Sequence, residues 1–327
     1  MKNLVQSFSK QLTEALKIGE KAKLSAHNKP LQNILISGLG GSGIGGTIVA
    51  QLISEEAKIP VLVNKEYSLP AFVNENTLFI ACSYSGNTEE TVEALDQAIA
   101  KKAKVVCVTS GGKVAEIAKA KNLDVITIPG GMPPRACLGY SLTQLFFVLS
   151  FNNIISKRSI AEIAAAASLL EKEEEEIKKQ AMLAADFLLN KTPVIYTTGA
   201  NEGVAIRFRQ QVNENSKMLC WHHVIPEMNH NELVGWTEKN DSFAVIIFRD
   251  SDDYERNKTR IEICKGVFKK YTSNILEVYS KGNSRIEKSL YLIHLGDWAS
   301  CYIADKNNID ATEVKVIDHL KSELSKG

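Results

Sequence analysis

The sequence has almost no excess charge of either sign, because 39 lysines and arginines oppose 38 aspartates and glutamates among its 327 residues. A chain with this balance has no overall field that would attract nucleic acid or an anionic membrane surface. It also lacks any apolar run of the 18 or more residues that a membrane-spanning helix needs. We therefore expect a soluble protein that binds a small polar molecule, with no nucleic acid and no membrane among its partners.

Cysteine is scarce and scattered. The six cysteines form no C-x-x-C pair, and several lie in apolar runs, which favours reduced, packed thiols over disulfides or metal ligands. The first residues, MKNLVQSFSKQL, are amphipathic and too polar for a secretory signal peptide. These features predict a protein of a reducing compartment, the cytoplasm.

Histidines at metal-binding spacing are also missing. Neither H-x-x-x-H nor H-E-x-x-H occurs. His222 and His223 are adjacent and therefore point in different directions on a helix or a strand, although Glu227, His230 and Glu232 follow closely. We expect no metal ion and no other cofactor.

What the sequence does contain is a repeated unit of apolar strand, small-residue turn and amphipathic helix. NILISG precedes GGTIVAQLISEEA, TLFIACSYSG precedes NTEETVEALDQAIAKKA, and KVVCVTSGG precedes KVAEIAKAKN. Near-continuous apolar strands that alternate with helices are typical of a parallel sheet covered on both faces. The pattern restarts at TPVIYTTGANEGVAIRFRQQ and continues through SFAVIIFRD and NILEVYS. We therefore predict an α/β protein with two similar halves.

The length also indicates two domains, because single hydrophobic cores seldom grow beyond about 250–300 residues. We predict an N-terminal domain over residues 1–152, which begins with a leading helix. The predicted C-terminal domain, residues 153–327, contains connecting helices and ends in the helix ATEVKVIDHLKSELSK.

The stretch ILISGLGGSGIGGTIVAQLI places a glycine-rich turn between an apolar strand and a helix. Gly38, Gly40 and Gly43 form G-x-G-x-x-G, the dinucleotide-binding pattern. A nicotinamide site would also need an acidic residue at the end of the next strand, but that strand ends in Asn64 and Glu66 lies beyond it. Such a turn binds phosphate of any origin through N–H groups and the helix dipole. The sequence favours another phosphate and leaves a nicotinamide-dependent dehydrogenase as an alternative.

A second polar cluster, ACSYSGNTEET, lies where the next apolar strand ends. Ser83, Ser85 and Thr88 place three hydroxyls around Gly86 where a helix begins. Hydroxyls and backbone amides at the carboxyl end of a strand can surround one phosphate monoester with neutral donors. A helix N-cap needs only one hydroxyl, so three favour phosphate binding over capping.

The two turns GLGGSGIGG and SYSGNTEET resemble those of the sugar isomerase (SIS) domain, which implies aldose–ketose isomerisation of a phosphosugar, and three further residues suit that chemistry. Moving a proton between adjacent sugar carbons needs a carboxylate base, an acid/base that opens the ring and a cation near the developing enediolate. Glu214 in QQVNENSK, His230 in PEMNHNELVGW and Arg135 in PGGMPPRACLGYS fit these roles in that order. A helix-surface carboxylate and a loop-capping arginine are the structural alternatives for Glu214 and Arg135.

The pair GLGGSGIGG and SYSGNTEET closely resembles the sugar isomerase (SIS) domain. Together with PPRACLGY, NEN and NHNE, it resembles the bifunctional phosphoglucose/phosphomannose isomerase branch of the SIS superfamily over nearly the whole chain. The resemblance implies two doubly wound, flavodoxin-like SIS subdomains with parallel sheets. It also implies interconversion of glucose 6-phosphate and mannose 6-phosphate with fructose 6-phosphate through a cis-enediol.

The resemblance assigns roles to residues that match the family's motifs. The implied phosphate-binding residues are Gly41, Ser42, Ser83, Ser85 and Thr88. Glu214 would shuttle a proton between C2 and C1, and Arg135 would stabilise the enediolate. His230 and Lys321, the latter in VIDHLKSEL, would assist ring opening.

Two further implications concern assembly and specificity. In this family the histidine that corresponds to His230 comes from the other subunit, which implies a homodimer. The family's mannose activity is attributed to a small hydroxyl residue near the C-terminal helix. Thr312 is the candidate here, with Val314 as the alternative alignment.

SIS domains also occur in proteins that sense phosphosugars without catalysis, so binding alone does not establish an enzyme. A non-catalytic SIS regulator is therefore the main alternative. Amino-sugar isomerisation is disfavoured because no glutaminase segment precedes the first half, although ammonia-independent variants escape this argument.

Overall fold

The structure is a computed structural model that describes residues 1–324 and 326. Ser325, in the predicted last helix, and Gly327, at the end of the predicted C-terminal domain, lie outside the described residues. In chain order the helices are α1 (Lys2–Gln6), α2 (Phe8–Lys21), α3 (Gly40–Leu52), α4 (Glu89–Ala100), α5 (Gly112–Ala120), α6 (Leu138–Phe151), α7 (Arg158–Leu188), α8 (Glu202–Ser216), α9 (Glu255–Phe268), α10 (Arg285–Lys306) and α11 (Lys315–Leu324). The strands are β1 (Asn33–Ser37), β2 (Val61–Asn64), β3 (Thr77–Ser83), β4 (Lys104–Thr109), β5 (Asp124–Thr127), β6 (Thr192–Thr198), β7 (Trp221–Ile225), β8 (Phe243–Arg249) and β9 (Ile275–Tyr279).

The chain forms two compact units. The N-terminal unit comprises Gln6–Glu173 and Lys281–Tyr291, and the C-terminal unit comprises Met1–Val5, Glu174–Ser280 and Leu292–Gly327. The domain boundary after residue 152 stays a prediction. Among the described residues, no helix combines the length and the apolar character that crossing a membrane requires.

The sheet of the N-terminal unit is parallel throughout and has the strand order β2-β1-β3-β4-β5. This is the flavodoxin-like order of a doubly wound fold, which confirms the predicted fold class. Strand order reverses between β1 and β3, and ligands of such sheets bind outside the carboxyl ends of the strands at this switch point. The two polar turns identified in the sequence follow these two strands.

Both faces of this sheet are covered, which explains the near-continuous apolar strands. Leu35, Phe79 and Val105 belong to a core cluster that also contains buried residues of α4 and α5. Their neighbours Ile34 and Ile80 are fully buried as well, although alternate residues of a strand point to opposite faces. A half-exposed sheet would instead have produced alternating apolar and polar residues.

Close backbone contacts account for the glycine spacing at the start of α3. A Cβ on Gly43 would lie 2.3 Å from the carbonyl oxygen of Gly38, and a Cβ on Gly38 would lie 2.5 Å from the carbonyl oxygen of Cys82. Only glycine allows helix α3 to begin this close to β1 and β3. The G-x-G-x-x-G pattern therefore has a packing explanation that needs no dinucleotide.

The sheet of the C-terminal unit is also parallel, in the order β7-β6-β8-β9. Its core includes Tyr196, Ile247 and Phe268, all fully buried. The predicted second α/β half is thus confirmed.

Candidate active site

The glycine-rich turn begins helix α3 at the carboxyl end of β1. The N–H groups of Ser42 and Gly43 both donate to the carbonyl oxygen of Leu39, at 3.1 Å each. The N–H groups of Gly40 and Gly41 have no acceptor within residues 1–324 and 326. Two available donors at the N-terminus of a long helix favour binding of an anion.

Gly41 lies against the loop that carries Arg135. A Cβ on Gly41 would lie 2.9 Å from the carbonyl oxygen of Pro134 and 3.6 Å from Cα of Arg135. Arg135 lies in a short 3-10 helix and is only 4% exposed. The structure therefore brings the backbone of Arg135 beside the predicted phosphate-binding turn.

The hydroxyls of the second turn are arranged around the end of β3. Ser83 is buried, and its Oγ donates to Oγ1 of Thr88 at 3.0 Å. Thr88 occupies the N-cap position of α4, yet its hydroxyl makes no capping hydrogen bond. Ser85 is exposed, and its Oγ accepts from the N–H of Asn87 at 3.2 Å. The capping alternative therefore does not explain the hydroxyl of Thr88.

Ser42 connects the two turns. Its Oγ accepts a hydrogen bond from the N–H of Tyr84 at 3.2 Å, and the side chain is almost fully buried. The phenol oxygen of Tyr84 in turn accepts from the N–H of Met132, also at 3.2 Å, in the loop that leads to Arg135. One chain of hydrogen bonds thus fixes the two turns and the arginine loop relative to each other within the N-terminal unit.

Gly86 closes the second turn tightly. It has a φ of +70°, and a Cβ there would lie 1.7 Å from the carbonyl oxygen of Gly111. Its N–H donates to the carbonyl oxygen of Ser83 at 3.1 Å, and its own carbonyl oxygen accepts from Val114 at 2.9 Å. The positions of the surrounding hydroxyls therefore depend on glycine at residue 86.

Glu214 lies in the last turn of α8 and is half-buried. Buried polar contacts hold this helix in place. The guanidinium of Arg207 pairs with Asp297 at 2.8 Å, and the side-chain amide of Asn215 donates to Oγ of Ser300 at 2.9 Å. Glu214 is therefore presented from a firmly packed element, as a general base requires.

The segment before α11 is joined to the end of α8. The ammonium of Lys217 donates to the carbonyl oxygen of Glu214 at 2.6 Å and to that of Glu313 at 2.7 Å. Thr312, which is exposed, immediately precedes Glu313. The structure thus places the backbone beside Thr312 near the residue predicted to be the base.

His230 ends a short 3-10 helix and is exposed. The loop beneath it is anchored by Glu232, whose Oε1 accepts from the hydroxyl of Tyr196 at 2.5 Å and from Nε1 of Trp221 at 3.2 Å. Nε1 of Trp236 donates to the same hydroxyl at 3.2 Å. Burial and the neighbouring carboxylate both raise the pKa of Tyr196, so this phenol stays protonated and acts as a donor.

The other histidines near this loop have a different environment. Burial, together with the charge of Arg209 and His223, lowers the pKa of His222 to about 4, so its imidazole is neutral at pH 7. Nε2 of His222 lies 3.9 Å from the Glu202 carboxylate. In the part of the chain that the structure describes, no group of three or more His, Cys, Asp or Glu side chains could hold a metal ion.

Lys321 lies on α11, in which no residue is buried. Across the described residues, no hydrogen bond or ion pair joins Lys321 or His230 to Glu214. The segment at Thr312 is connected to Glu214 through the two hydrogen bonds of Lys217.

The turns after β6 and β8 follow strands that correspond in sheet order to β1 and β3, but they differ in chemistry from the two turns predicted to bind phosphate. The hydroxyl of Thr198 donates to Asp253 at 2.8 Å, and the N–H of Asp250 donates to the same carboxylate at 3.0 Å. A further hydrogen bond of 2.8 Å joins the N–H of Asp252 to the carboxylate of Asp250. Carboxylates here would repel a phosphate, so these two turns do not suit phosphate binding.

Two family models match the chain, one in each half. The model described as "SIS domain" matches residues 30–145. The model described as "Bacterial phospho-glucose isomerase C-terminal SIS domain" matches residues 177–324.

Individual proteins resemble the chain over nearly all of its length. A bifunctional phosphoglucose/phosphomannose isomerase from Caldicellulosiruptor bescii is 39% identical to this chain. The match covers 98% of this chain and 98% of the C. bescii protein. A bifunctional phosphoglucose/phosphomannose isomerase from Aquifex aeolicus is 34% identical to this chain. That match covers 91% of this chain and 92% of the A. aeolicus protein. Among solved structures, the C-terminal domain of glucosamine-fructose-6-phosphate aminotransferase from Francisella tularensis matches with a TM-score of 0.71 at 14% identity, covering 95% of each chain. This last similarity concerns the fold alone.

Proposed function

We propose that this chain, which belongs to the bifunctional phosphoglucose/phosphomannose isomerase family, interconverts fructose 6-phosphate with glucose 6-phosphate and with mannose 6-phosphate. The observation that carries the proposal is the similarity to relatives of that name along the full chain, at 39% identity for one of them. The hydroxyl-rich turns at the switch point of the first sheet supply a chemically suitable phosphate site.

In this proposal the 6-phosphate is held by the turns after β1 and β3. The available N–H group of Gly41 and the hydroxyls of Ser85 and Thr88 supply neutral donors, the hydrogen bond from Ser83 orients the hydroxyl of Thr88, and the N-termini of α3 and α4 favour the negative charge. Ser42 holds the two turns together through Tyr84. No metal ion or cofactor takes part.

Glu214 acts as the base on the open-chain sugar. It removes the proton from C2 of the aldose, and the electron pair of the broken C–H bond forms the C1–C2 double bond of a cis-enediol. Negative charge develops on the former carbonyl oxygen, where the guanidinium of Arg135 stabilises it. The proton of the C2 hydroxyl moves to the oxygen on C1, and return of the proton from Glu214 to C1 then leaves the carbonyl group of the ketose on C2. His230 and Lys321 move the proton between the anomeric hydroxyl and the ring oxygen when the ring opens.

The same intermediate explains two aldose products. Glucose 6-phosphate and mannose 6-phosphate differ only in configuration at C2, and the cis-enediol has lost that stereocentre. The face of C2 that receives the proton therefore decides the product. We assign the control of this choice to the segment that contains Thr312 and Val314.

We also propose a homodimer in which His230 is donated to the partner's site. The support is that its imidazole is exposed, is carried on an anchored loop and makes no hydrogen bond to Glu214 of its own chain.

The described cysteines are all free thiols, which together with a phosphosugar substrate fits the cytoplasm.

A single assay tests the proposed function. Purified protein is incubated with fructose 6-phosphate and EDTA, and glucose 6-phosphate and mannose 6-phosphate are measured separately with coupling dehydrogenases. We expect both products at rates that EDTA does not change. Binding of fructose 6-phosphate without formation of either product would favour the non-catalytic regulator, and a rise in Tm on addition of millimolar NAD would favour the dehydrogenase.

A further inference from the structure

We propose that Lys217 is a positioning residue that couples Glu214 to the segment containing Thr312 and thereby sets the ratio of mannose to glucose product. The inference rests on the proposed isomerase function. Lys217 does not touch the reacting atoms in this account. It acts through the backbone of the two elements that it joins.

The geometry of Lys217 suits this role. Its ammonium donates to two carbonyl oxygens from distant parts of the chain, at 2.6 Å to Glu214 and at 2.7 Å to Glu313. Lysine has three donors and no acceptor, so one side chain can serve both carbonyls at once. Hydrogen bonds from a charged donor are stronger than neutral ones.

The backbone of Lys217 fixes where this side chain starts. The residue follows the last residue of α8 in the left-handed conformation, with a φ of +55°, and its N–H donates to the carbonyl oxygen of Val212. The last carbonyls of a helix lack intrahelical donors, and a cation at this end is favoured by the helix dipole. The ammonium therefore donates to the carbonyl oxygen of Glu214 in the last turn of this helix.

The segment on the other side is short and partly exposed. It connects α10 to α11, and the N–H of Thr312 donates to the carboxylate of Asp310 at 2.8 Å. Hydrogen bonds from Thr312 and the nearby charge of Lys217 lower the pKa of Asp310, so this carboxylate is ionised at neutral pH and is attracted by the ammonium. Loss of the ammonium would release the Glu313 carbonyl. It would also remove the positive charge that balances the carboxylate of Asp310.

Such a release has two consequences for the reaction. Glu214 would no longer be held at its own carbonyl, and proton transfer is sensitive to displacements on the order of 1 Å. The residues proposed to select the face of C2 would shift relative to the base. The rate and the product ratio should therefore both change, whereas a purely structural role would leave the ratio unchanged.

The test uses three variants of Lys217 and a matched control. Lys217→Met removes the ammonium and keeps the apolar stem, Lys217→Arg restores a cation, and Lys217→Gly removes the side chain while relieving the left-handed backbone. Lys102 is the control, because it is also exposed, follows a helix and has a φ of +60°. For each protein we measure kcat, KM, the product ratio from fructose 6-phosphate, Tm and amide hydrogen exchange over residues 308–316.

For Lys217→Met we expect kcat to fall by roughly ten- to hundredfold with a smaller change in KM, the product ratio to shift and exchange over residues 308–316 to accelerate. Lys217→Arg should recover most of the rate. Lys217→Gly should lose the rate even if its Tm rises, which separates positioning from folding. Lys102→Met and Lys102→Gly should keep wild-type kcat, ratio and exchange.

Two results would overturn the inference. Exchange over residues 308–316 that Lys217→Met leaves unchanged would disprove the coupling, whatever the activity. A wild-type kcat and product ratio in Lys217→Met, with an active wild-type enzyme, would disprove the control of the product ratio and would overturn the inference as well. A wild-type protein that forms neither product would instead contradict the proposed function, so the two failures are distinguishable.

Discussion

The hydroxyl of Tyr196 donates a hydrogen bond of 2.5 Å to Oε1 of Glu232. Tyr196 is fully buried in the central strand β6, and its ring stacks on Phe268 with 5.0 Å between centroids. Glu232 lies two residues after His230, in the loop that exposes the imidazole. A buried strand and the loop that carries His230 are thus joined by this hydrogen bond.

Tyr196→Phe should lower the free energy of unfolding by about 1–3 kcal/mol, because the carboxylate of Glu232 loses its shortest donor in a partly buried site. We also expect kcat to fall, since the loop that carries His230 is held less firmly. Urea unfolding followed by tryptophan fluorescence and initial rates measure the two effects. Tyr279→Phe is the control, because Tyr279 is 56% exposed. Equal stabilities of wild type and Tyr196→Phe would refute the anchoring role of Glu232.

Thr88→Val should raise KM for fructose 6-phosphate about tenfold or more, because a hydrogen bond to a charged group contributes about 1.5–3 kcal/mol. The inhibition constant of inorganic phosphate should rise in parallel, since phosphate alone probes the same donors. Thr91→Val is a matched control on the same helix, because the hydroxyl of Thr91 is buried without a hydrogen-bond partner among the described residues. Unaltered phosphate inhibition in Thr88→Val would rule out its hydroxyl as a ligand.

Glu214→Gln and His230→Asn should each reduce kcat by about 10²–10⁴-fold, the usual contribution of general acid–base catalysis. If His230 serves the partner's site, unfolding and refolding an equal mixture of the two variants should restore about one quarter of the wild-type activity, because half of the dimers then contain one intact site. Each variant refolded alone is the control. A mixture as inactive as its parents would show that both residues act within one chain.

From the environment of Glu174 we predict that the free energy of unfolding depends on pH. Nε2 of His294 lies 2.6 Å from its carboxylate, and Nε1 of Trp298 donates to it at 3.1 Å. Burial alone would raise the pKa of Glu174, but the hydrogen bond and charge of His294, together with Lys178, lower it below the ordinary value of 4.5. A carboxylate whose pKa is lowered by folding stabilises the protein above its unfolded pKa, and this stabilisation is lost as pH falls through the folded pKa.

Glu174→Gln should therefore lower the free energy of unfolding at pH 7, and the difference from wild type should shrink as the pH falls below 4.5. Urea unfolding across this pH range measures it. Glu175→Gln should change stability by less than about 0.5 kcal/mol, because the side chain of Glu175 is 89% exposed. A difference between wild type and Glu174→Gln that stays constant down to pH 3 would contradict the lowered pKa.

The strands that the sequence reveals are those buried on both faces. All seven residues of β3 are buried, so their apolar run is unmistakable. Strand β7, at the edge of its sheet, was not predicted, because only Ile225 among its five residues is buried and two adjacent histidines interrupt the run. Helix α10 was also missed. Its residues 286–301 are buried almost without interruption, so it shows no amphipathic period.

The sequence by itself determined the fold class and located the two turns predicted to bind phosphate. Each phosphate turn consists of a strand end, a turn and a helix start in consecutive residues, so its residue types carry the signal locally. The family resemblance, likewise, rests on short motifs that remain readable without any folded structure.

Only the tertiary structure decided what supports Glu214 and His230. Lys217 reaches Glu313, 96 positions along the chain, and Tyr196 reaches Glu232, 36 positions along the chain. Lys217 binds backbone carbonyls, which every residue has, so no residue type in the sequence indicates which residues accept its hydrogen bonds. Such contacts arise only when folding brings distant segments within hydrogen-bonding distance.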